Sequence, residues 1–432
     1  MAVTFARSGT SNSYDASVRN ITSRQTALAN LQENLTSGKK VVRASDDPTS
    51  AANAERALTR ISRIVTDQRA LESQRNAIAV AESTLGDITT AMQRIRELAV
   101  SAGDGVHTTA ERVSIATEMQ GLRDNIFTLA NSKDTNGLPL FSSLGSALAP
   151  FVGPQATAPD YTFQGLPGQT TSSDVTIPFT LDGESAFMHQ PGRDANFNVS
   201  LSTIPTGRNL STDTVSVTDN AIVIANATAA SAATPSTPYP VYAINFTAVD
   251  TTTKLGTTTA TYTLTESPAV SNPAVAATPI TVSYPSNGSM NVTGIPGLSF
   301  NITGTPAVGD TATVSNNPSL FSVLDTAIRD VTNAPNNNGA AQAVGQALHN
   351  IDISMSRVSA IRGQAGDLLN RADRISTNQD KRSTQLESDR SRAEDIDMVK
   401  GISDFQAKQS GYSAALQTYA QVQKLSLFTY IN

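Results

Sequence analysis

The amino-acid sequence predicts an α+β protein: a long helical coiled coil or bundle built from both chain ends, with an inserted, mainly antiparallel β domain. Three observations carry that expectation. Apolar residues recur every seven positions near each end of the 432-residue chain. From about Phe141 the period shortens towards two. Charge divides the chain in the same places: between Pro150 and Ser319 there are 3 basic and 10 acidic residues, against 28 basic and 27 acidic in the flanks.

The first seam is Tyr14, Ile21, Leu28 and Leu35, with Leu31 on the adjoining row, and Gly38 follows as a C-terminal stop. Asp46-Asp47-Pro48 supplies an N-cap and then a proline at the first helical position, so a second helix begins there. It is long. Ala57, Ile64, Leu71, Ile78, Leu85, Met92 and Ala99 keep the seven-residue spacing, joined by Ala81, Ile88 and Ile95, and no proline intervenes. At 1.5 Å per residue such a helix extends on the order of 75 Å. Gly103 and Gly105 break the pattern as a turn, and no Lys-Ser/Thr follows to make a phosphate loop. Thr108 and Glu111 then stand at capping-box spacing ahead of Ile115, Met119, Leu122, Ile126 and Leu129, a helix expected to fold back on the previous one.

In the middle, residues 243–249 and 260–265 alternate or carry β-branched side chains and read as short antiparallel strands. The Ala-, Thr- and Pro-rich stretches Ala225–Pro240 and Pro268–Pro279 read as long loops. Helical spacing returns at Phe321, Leu324, Ile328 and Val331, breaks at Pro335–Gly339, and resumes at Val344, Leu348, Ile351, Met355 and Val358. Ser391 and Glu394 have the spacing of another capping box. After it Met398, Phe405, Tyr412 and Tyr419 form the last seam, with Ile402 and Leu416 alongside. The expected division is therefore 1–42 with 392–432 as a terminal helical module, 43–140 with 320–391 as a long-helix rod, and 141–319 as the inserted β-rich domain.

Composition narrows the chemistry. With no cysteine there is neither a disulfide framework nor a thiolate zinc site. His107, His189 and His349 stand far apart, none in an H-E-x-x-H pattern. Asp46 with Asp47, and Glu394 with Asp395 and Asp397, read as helix-start acids rather than paired catalytic or metal-binding groups. No catalytic residue, cofactor or metal is expected. A formal net charge of −6 argues against nucleic acid as a partner. The first twenty residues contain no apolar run like that of a cleaved signal, and no stretch of about 18 apolar residues is present to span a membrane.

An apolar stripe has to be buried against something, and the two terminal seams have no local partner. They meet each other, within an intramolecular bundle, or they meet another molecule; periodicity leaves both open. The residues add a resemblance. Leu31-Gln32-Glu33-Asn34-Leu35-Thr36-Ser37-Gly38-Lys39-Lys40-Val41 with Ser45-Asp46-Asp47-Pro48-Thr49-Ser50-Ala51-Ala52, then Gln93-Arg94-Ile95-Arg96-Glu97-Leu98-Ala99-Val100, and finally Leu425-Ser426-Leu427-Phe428, resemble the motif blocks of the flagellin family in its order and separations. They cover roughly the first 140 and last 110 residues. Asp46 to Pro48, the Asp134-Thr135-Asn136-Gly137 turn before Leu140-Phe141, and the ending Leu427-Phe428-Thr429-Tyr430 are more similar to the branch that forms the hook-filament junction than to filament subunits.

That resemblance implies a structural subunit of the bacterial flagellum, exported unfolded by the flagellar type III system and polymerising through its ends into a ring. The implied partners are other copies of itself, the proximal hook-associated junction protein, flagellin, and a cytosolic flagellar export chaperone; nucleic acid and membrane are not among them. The implied subunit and chaperone contacts are Ile21, Leu28, Leu31, Leu35, Met398, Ile402, Phe405, Tyr412, Leu416, Tyr419, Leu427 and Phe428. Arg94, Leu98 and Glu118 match positions at which flagellins meet an innate immune receptor, a surface read here instead as retained because it packs subunits together. Two alternatives stay open: a filament subunit, and a surface adhesin or fibre protein.

Overall fold

The computed structural model describes residues 10–156, 160–203, 210–234 and 236–430, with the side chains of 10–13 and 422–430 outside that description. The chain divides into two compact units, Met1–Arg69 with Ile375–Asn432, and Ala70–Arg374.

Helix α1 spans Thr10–Ser37, α2 Pro48–Ala102 and α3 Thr109–Ala130. Each boundary has a local cause. Gly38 takes φ +70°, the left-handed conformation that ends a helix without a Cβ clash. Asp47 Oδ1 accepts from the backbone N–H of Thr49 and of Ser50, both at 3.1 Å, and caps α2 at Pro48. The Ser50 and Thr49 hydroxyls, together with those backbone bonds, hold the Asp47 carboxyl well below the usual range. Both arms of the Thr108–Glu111 capping box form at the start of α3. All ten residues of the α2 seam, from Ala57 to Ala99, are buried.

Within the second unit, α3 folds back beside α2, and Arg94 Nη2 meets Glu118 Oε1 at 2.9 Å. Helix α7, Leu320–Thr332, packs on α3, while Ala102, Val331, Ala343 and Val344 close a core shared with α8, Asn337–Glu394. Between α3 and α7 lies the inserted region. It comprises β1 (Phe151–Val152), β2 (Thr162–Phe163), α4 (Gly183–Phe187), α5 (Pro191–Asp194), β3 (Phe197–Ser202), β4 (Ser211–Thr212), β5 (Ser216–Val217) and α6 (Asn220–Ser231). It continues through β6 (Val241–Asp250), β7 (Thr257–Ser267), β8 (Ile280–Pro285), β9 (Ser289–Val292), β10 (Leu298–Thr303) and β11 (Thr311–Asn316).

The larger sheet is antiparallel with order β3-β11-β6-β7-β8; β10 pairs with β4, β5 and β9 in a smaller one. Phe197, Tyr242, Phe246, Tyr262 and Phe300 lie in a common core between them. At the root of the insertion a second aromatic cluster forms: Phe127 and Phe321 have centroids 5.1 Å apart, and Phe187 meets Phe141 at 5.3 Å and Phe151 at 5.2 Å.

Two sequence expectations need correction. Ala225–Pro240 is not loop throughout, because α6 extends to Ser231: Asp219 Oδ1 accepts from the N–H of Ala221 and Ile222, and the alanines that follow are the best helix formers. Ser391 and Glu394 do not open a helix. They lie in the last turn of α8, where the Ser391 carbonyl accepts from the Asp395 N–H at 2.8 Å and Glu394 is held by Lys39 and Arg390. The final helix, α9, starts at Met398 behind Asp397, whose Oδ1 accepts from Val399 N–H at 3.0 Å and Lys400 N–H at 3.1 Å.

Candidate assembly interface

The first unit brings the two chain ends together. Helices α1 and α9 pair; Tyr14 and Tyr419 sit with ring centroids 5.4 Å apart, and at the opposite end a Cβ at Gly401 would come within 2.8 Å of Leu35 Cδ2. The glycine thus permits close approach where the helices meet their connecting loops. Those loops are joined as well. Lys39 and Asp395 form an antiparallel bridge, Lys40 N–H donates to Glu394 O at 2.8 Å, Ile396 N–H donates to Gly38 O at 3.0 Å, and the Lys39 ammonium pairs with the Glu394 carboxylate.

The pair covers its seams only in part. None of Tyr14, Ile21, Leu28, Leu31, Leu35, Met398, Ile402, Phe405, Tyr412, Leu416 and Tyr419 is buried, and Met398, Ile402 and Leu416 are 47%, 47% and 41% exposed. Burying a side chain of this size contributes about 1.5–3 kcal/mol, so the uncovered remainder of the stripe is a standing drive towards association. The side chains of Leu427 and Phe428 lie outside the described residues.

Arg94, Leu98 and Glu118 are brought together, but differently exposed. Arg94 and Glu118 are half-exposed and bonded to each other, whereas Leu98 is buried. Of the histidines, His189 is sealed at the root of the insertion: its Nε2 lies 3.0 Å from Ser354 Oγ and its Nδ1 3.5 Å from Asp194 Oδ2. Sequence reading gave no sign of this cluster, since its members come from a loop, a short helix and α8. The Ser-His-Asp order resembles a nucleophile's relay, but Ser354 is 1% exposed and donates to the Asn350 carbonyl, so no substrate reaches it. Burial holds the His189 imidazole towards its neutral form. Burial also opposes ionisation of Asp194, but hydrogen bonds from the Arg193 guanidinium and the Gln190 N–H outweigh it and keep that carboxyl well below its ordinary value. Among the described residues no cluster of His, Asp or Glu is arranged to hold a metal, and no helix is long and apolar enough to cross a membrane.

The chain is thus built of helical termini, paired within the first unit, and a middle of antiparallel β-sheets. The bacterial flagellin N-terminal helical region matches residues 10–145 and the flagellin C-terminal helical region matches residues 348–431, together about half of the chain. The chain belongs to the flagellin family. Flagellar hook-associated protein 3 of Salmonella typhimurium is 34% identical over 154 residues, covering 34% of this chain and 46% of the relative; its Escherichia coli counterpart is 36% identical over 153 residues with the same coverage. The match thus spans about half the length of these curated relatives. Flagellin FlaB1 of Treponema pallidum is 33% identical over 110 residues, 26% of this chain and 38% of the relative. The fold is shared with FlgL of Xanthomonas campestris (TM-score 0.54, 21% identity, 77% of this chain and 98% of that one). It is also shared with the flagellar junction protein FlgL of Legionella pneumophila (TM-score 0.56, 20% identity, 74% and 98%).

Proposed function

We propose that this protein is a structural subunit of the bacterial flagellum that forms the junction ring between hook and filament. The observation that carries the reading is the half-covered α1–α9 seam in a chain whose ends are flagellin-like and whose relatives include proteins named hook-associated protein 3. Residues 1–42 with 392–432 form the polymerising helical module, 43–140 with 320–391 the long-helix rod, and 141–319 the inserted β-rich domain. The chain leaves the cell unfolded through the flagellar type III apparatus, and its terminal seams become ordered when neighbours cover them. Its partners are further copies of itself, the proximal hook-associated junction protein and flagellin. A cytosolic chaperone covers Phe405, Tyr412, Leu416 and Tyr419 before export. Arg94, Leu98 and Glu118 serve subunit packing in this reading.

A second reading, a filament subunit, draws on the similarity to FlaB1. Deleting the gene and scoring flagella by electron microscopy, with free flagellin assayed in the medium, separates them. Intact hooks lacking filaments, with flagellin lost to the medium, are expected. Bare hooks without released flagellin favour the filament subunit, and normal filaments overturn the assembly reading in favour of an adhesin.

A further inference from the structure

Along α2, Arg56, Arg60 and Arg63 follow at i, i+4 and i+7, the spacing that places side chains on one flank of a helix. All three are exposed, and none has a hydrogen-bond or ion-pair partner among the described residues. Gln68 points to a different side of α2, where its amide donates to Asp380 of α8 at 2.6 Å. Seven residues on from Asp380, and so on its flank, Glu387 sits in an open groove with Ser383, Thr384, Ser388, Ser391 and Asp395. Arg390 engages Glu387 at 2.5 Å from the groove's edge, while Asp395 stays exposed. One unit therefore carries an unpaired guanidinium row on one flank and a groove of hydroxyls and two carboxylates on another. A single copy cannot bring them together.

We propose that the Arg56, Arg60 and Arg63 row of one copy docks in the Glu387–Asp395 groove of the next. The two surfaces are complementary in charge: a forked guanidinium matches carboxylate and hydroxyl acceptors. The contact joins two different surfaces of the same chain, so it repeats head to tail and closes into a ring when the rotation allows. It rests on the self-assembly reading above and adds to the terminal seams a second contact, made by the long helices α2 and α8. Because the row is solvent-exposed, the contact sets register and neighbour choice and weakens as salt rises.

The absence of native cysteine makes the test direct. Arg60→Cys and Thr384→Cys are introduced into separate full-length chains, mixed under assembling conditions and mildly oxidised. Mixed 60–384 dimers are expected to outnumber both self-dimers. In parallel, the triple variant Arg56→Glu, Arg60→Glu, Arg63→Glu is expected to self-associate about tenfold more weakly by sedimentation, with unchanged helical content. Adding Glu387→Arg and Asp395→Arg to that chain is expected to restore association. Self-dimers alone, or a triple variant that associates as well as the parent, overturn the docking while leaving assembly intact. A parent chain that does not associate at all overturns the assembly reading, and this contact with it.

Discussion

Tyr14 and Tyr419 lie ring against ring, 5.4 Å between centroids at an angle of 48°, joining the first and last helices of the chain. A tilted aromatic pair is worth about 0.5–1.5 kcal/mol beyond its burial, and these rings remain partly uncovered, Tyr14 at 45%. Tyr419→Ala is expected to weaken self-association, read by sedimentation, while leaving the β-rich unit's thermal unfolding unchanged. Equal loss in both measurements would place the ring in the wrong role.

The start of α9 offers a sharp comparison between two caps. Asp397→Ala removes the acceptor for the Val399 and Lys400 N–H groups and is expected to cost about 1 kcal/mol. Ser391→Ala, inside the last turn of α8, is expected to change stability by less than about 0.5 kcal/mol. Chemical denaturation of the two variants checks the order, and a reversed order contradicts the boundary at Met398.

At the root of the insertion, Asp194 faces His189, Arg193 Nη2 at 2.8 Å and Arg357 Nε at 3.4 Å, with Ser354 beyond the imidazole. The folded-state pKa of Asp194 is depressed, so its contribution is present above the ordinary carboxylate range and is lost as pH falls through the folded value. His189 is depressed too. The unfolded chain takes up that proton first, and stability falls as pH drops below the ordinary histidine value. Both act in one direction: the Tm is expected to decline on acidification from pH 7, with a shallower decline between pH 7 and 5 in His189→Gln. Asp194→Asn strands two guanidinium groups and is expected to cost about 3 kcal/mol at pH 7.

Residues 169–181 form a strap across α2 and α8. The N–H of Ile177 donates to Gln74 Oε1 at 3.1 Å, Arg371 Nη2 donates to Ser173 O at 3.2 Å, and the Ile177 side chain is buried. Ile177→Ala is expected to cost about 2–4 kcal/mol and to speed amide exchange in residues 70–80 and 368–374 more than in the sheet. Uniform acceleration would mean the strap does not act locally.

Much of this fold is legible in consecutive residues. The ten-residue seam from Ala57 to Ala99, the cap at Asp47, the stop at Gly38 and the box at Thr108 depend on helical period and on donors within three residues, which a sequence displays directly. The same reasoning misplaced Ser391 because Ser-x-x-Glu spacing is equally compatible with a helix that simply continues. It missed α6 because a Pro- and Thr-rich context masked a run of good helix formers behind Asp219.

By itself the sequence determined the helical ends, the β-rich middle and the family, since period, capping and motif order are properties of neighbouring residues. Only the tertiary structure decided that the terminal seams meet each other and stay half-exposed, that Lys39 reaches Glu394, that Ser354 joins His189, and that β3 borders β11. These relationships link residues far apart in the chain, and their pairing depends on shape and on loop closure, for which local pattern carries no signal.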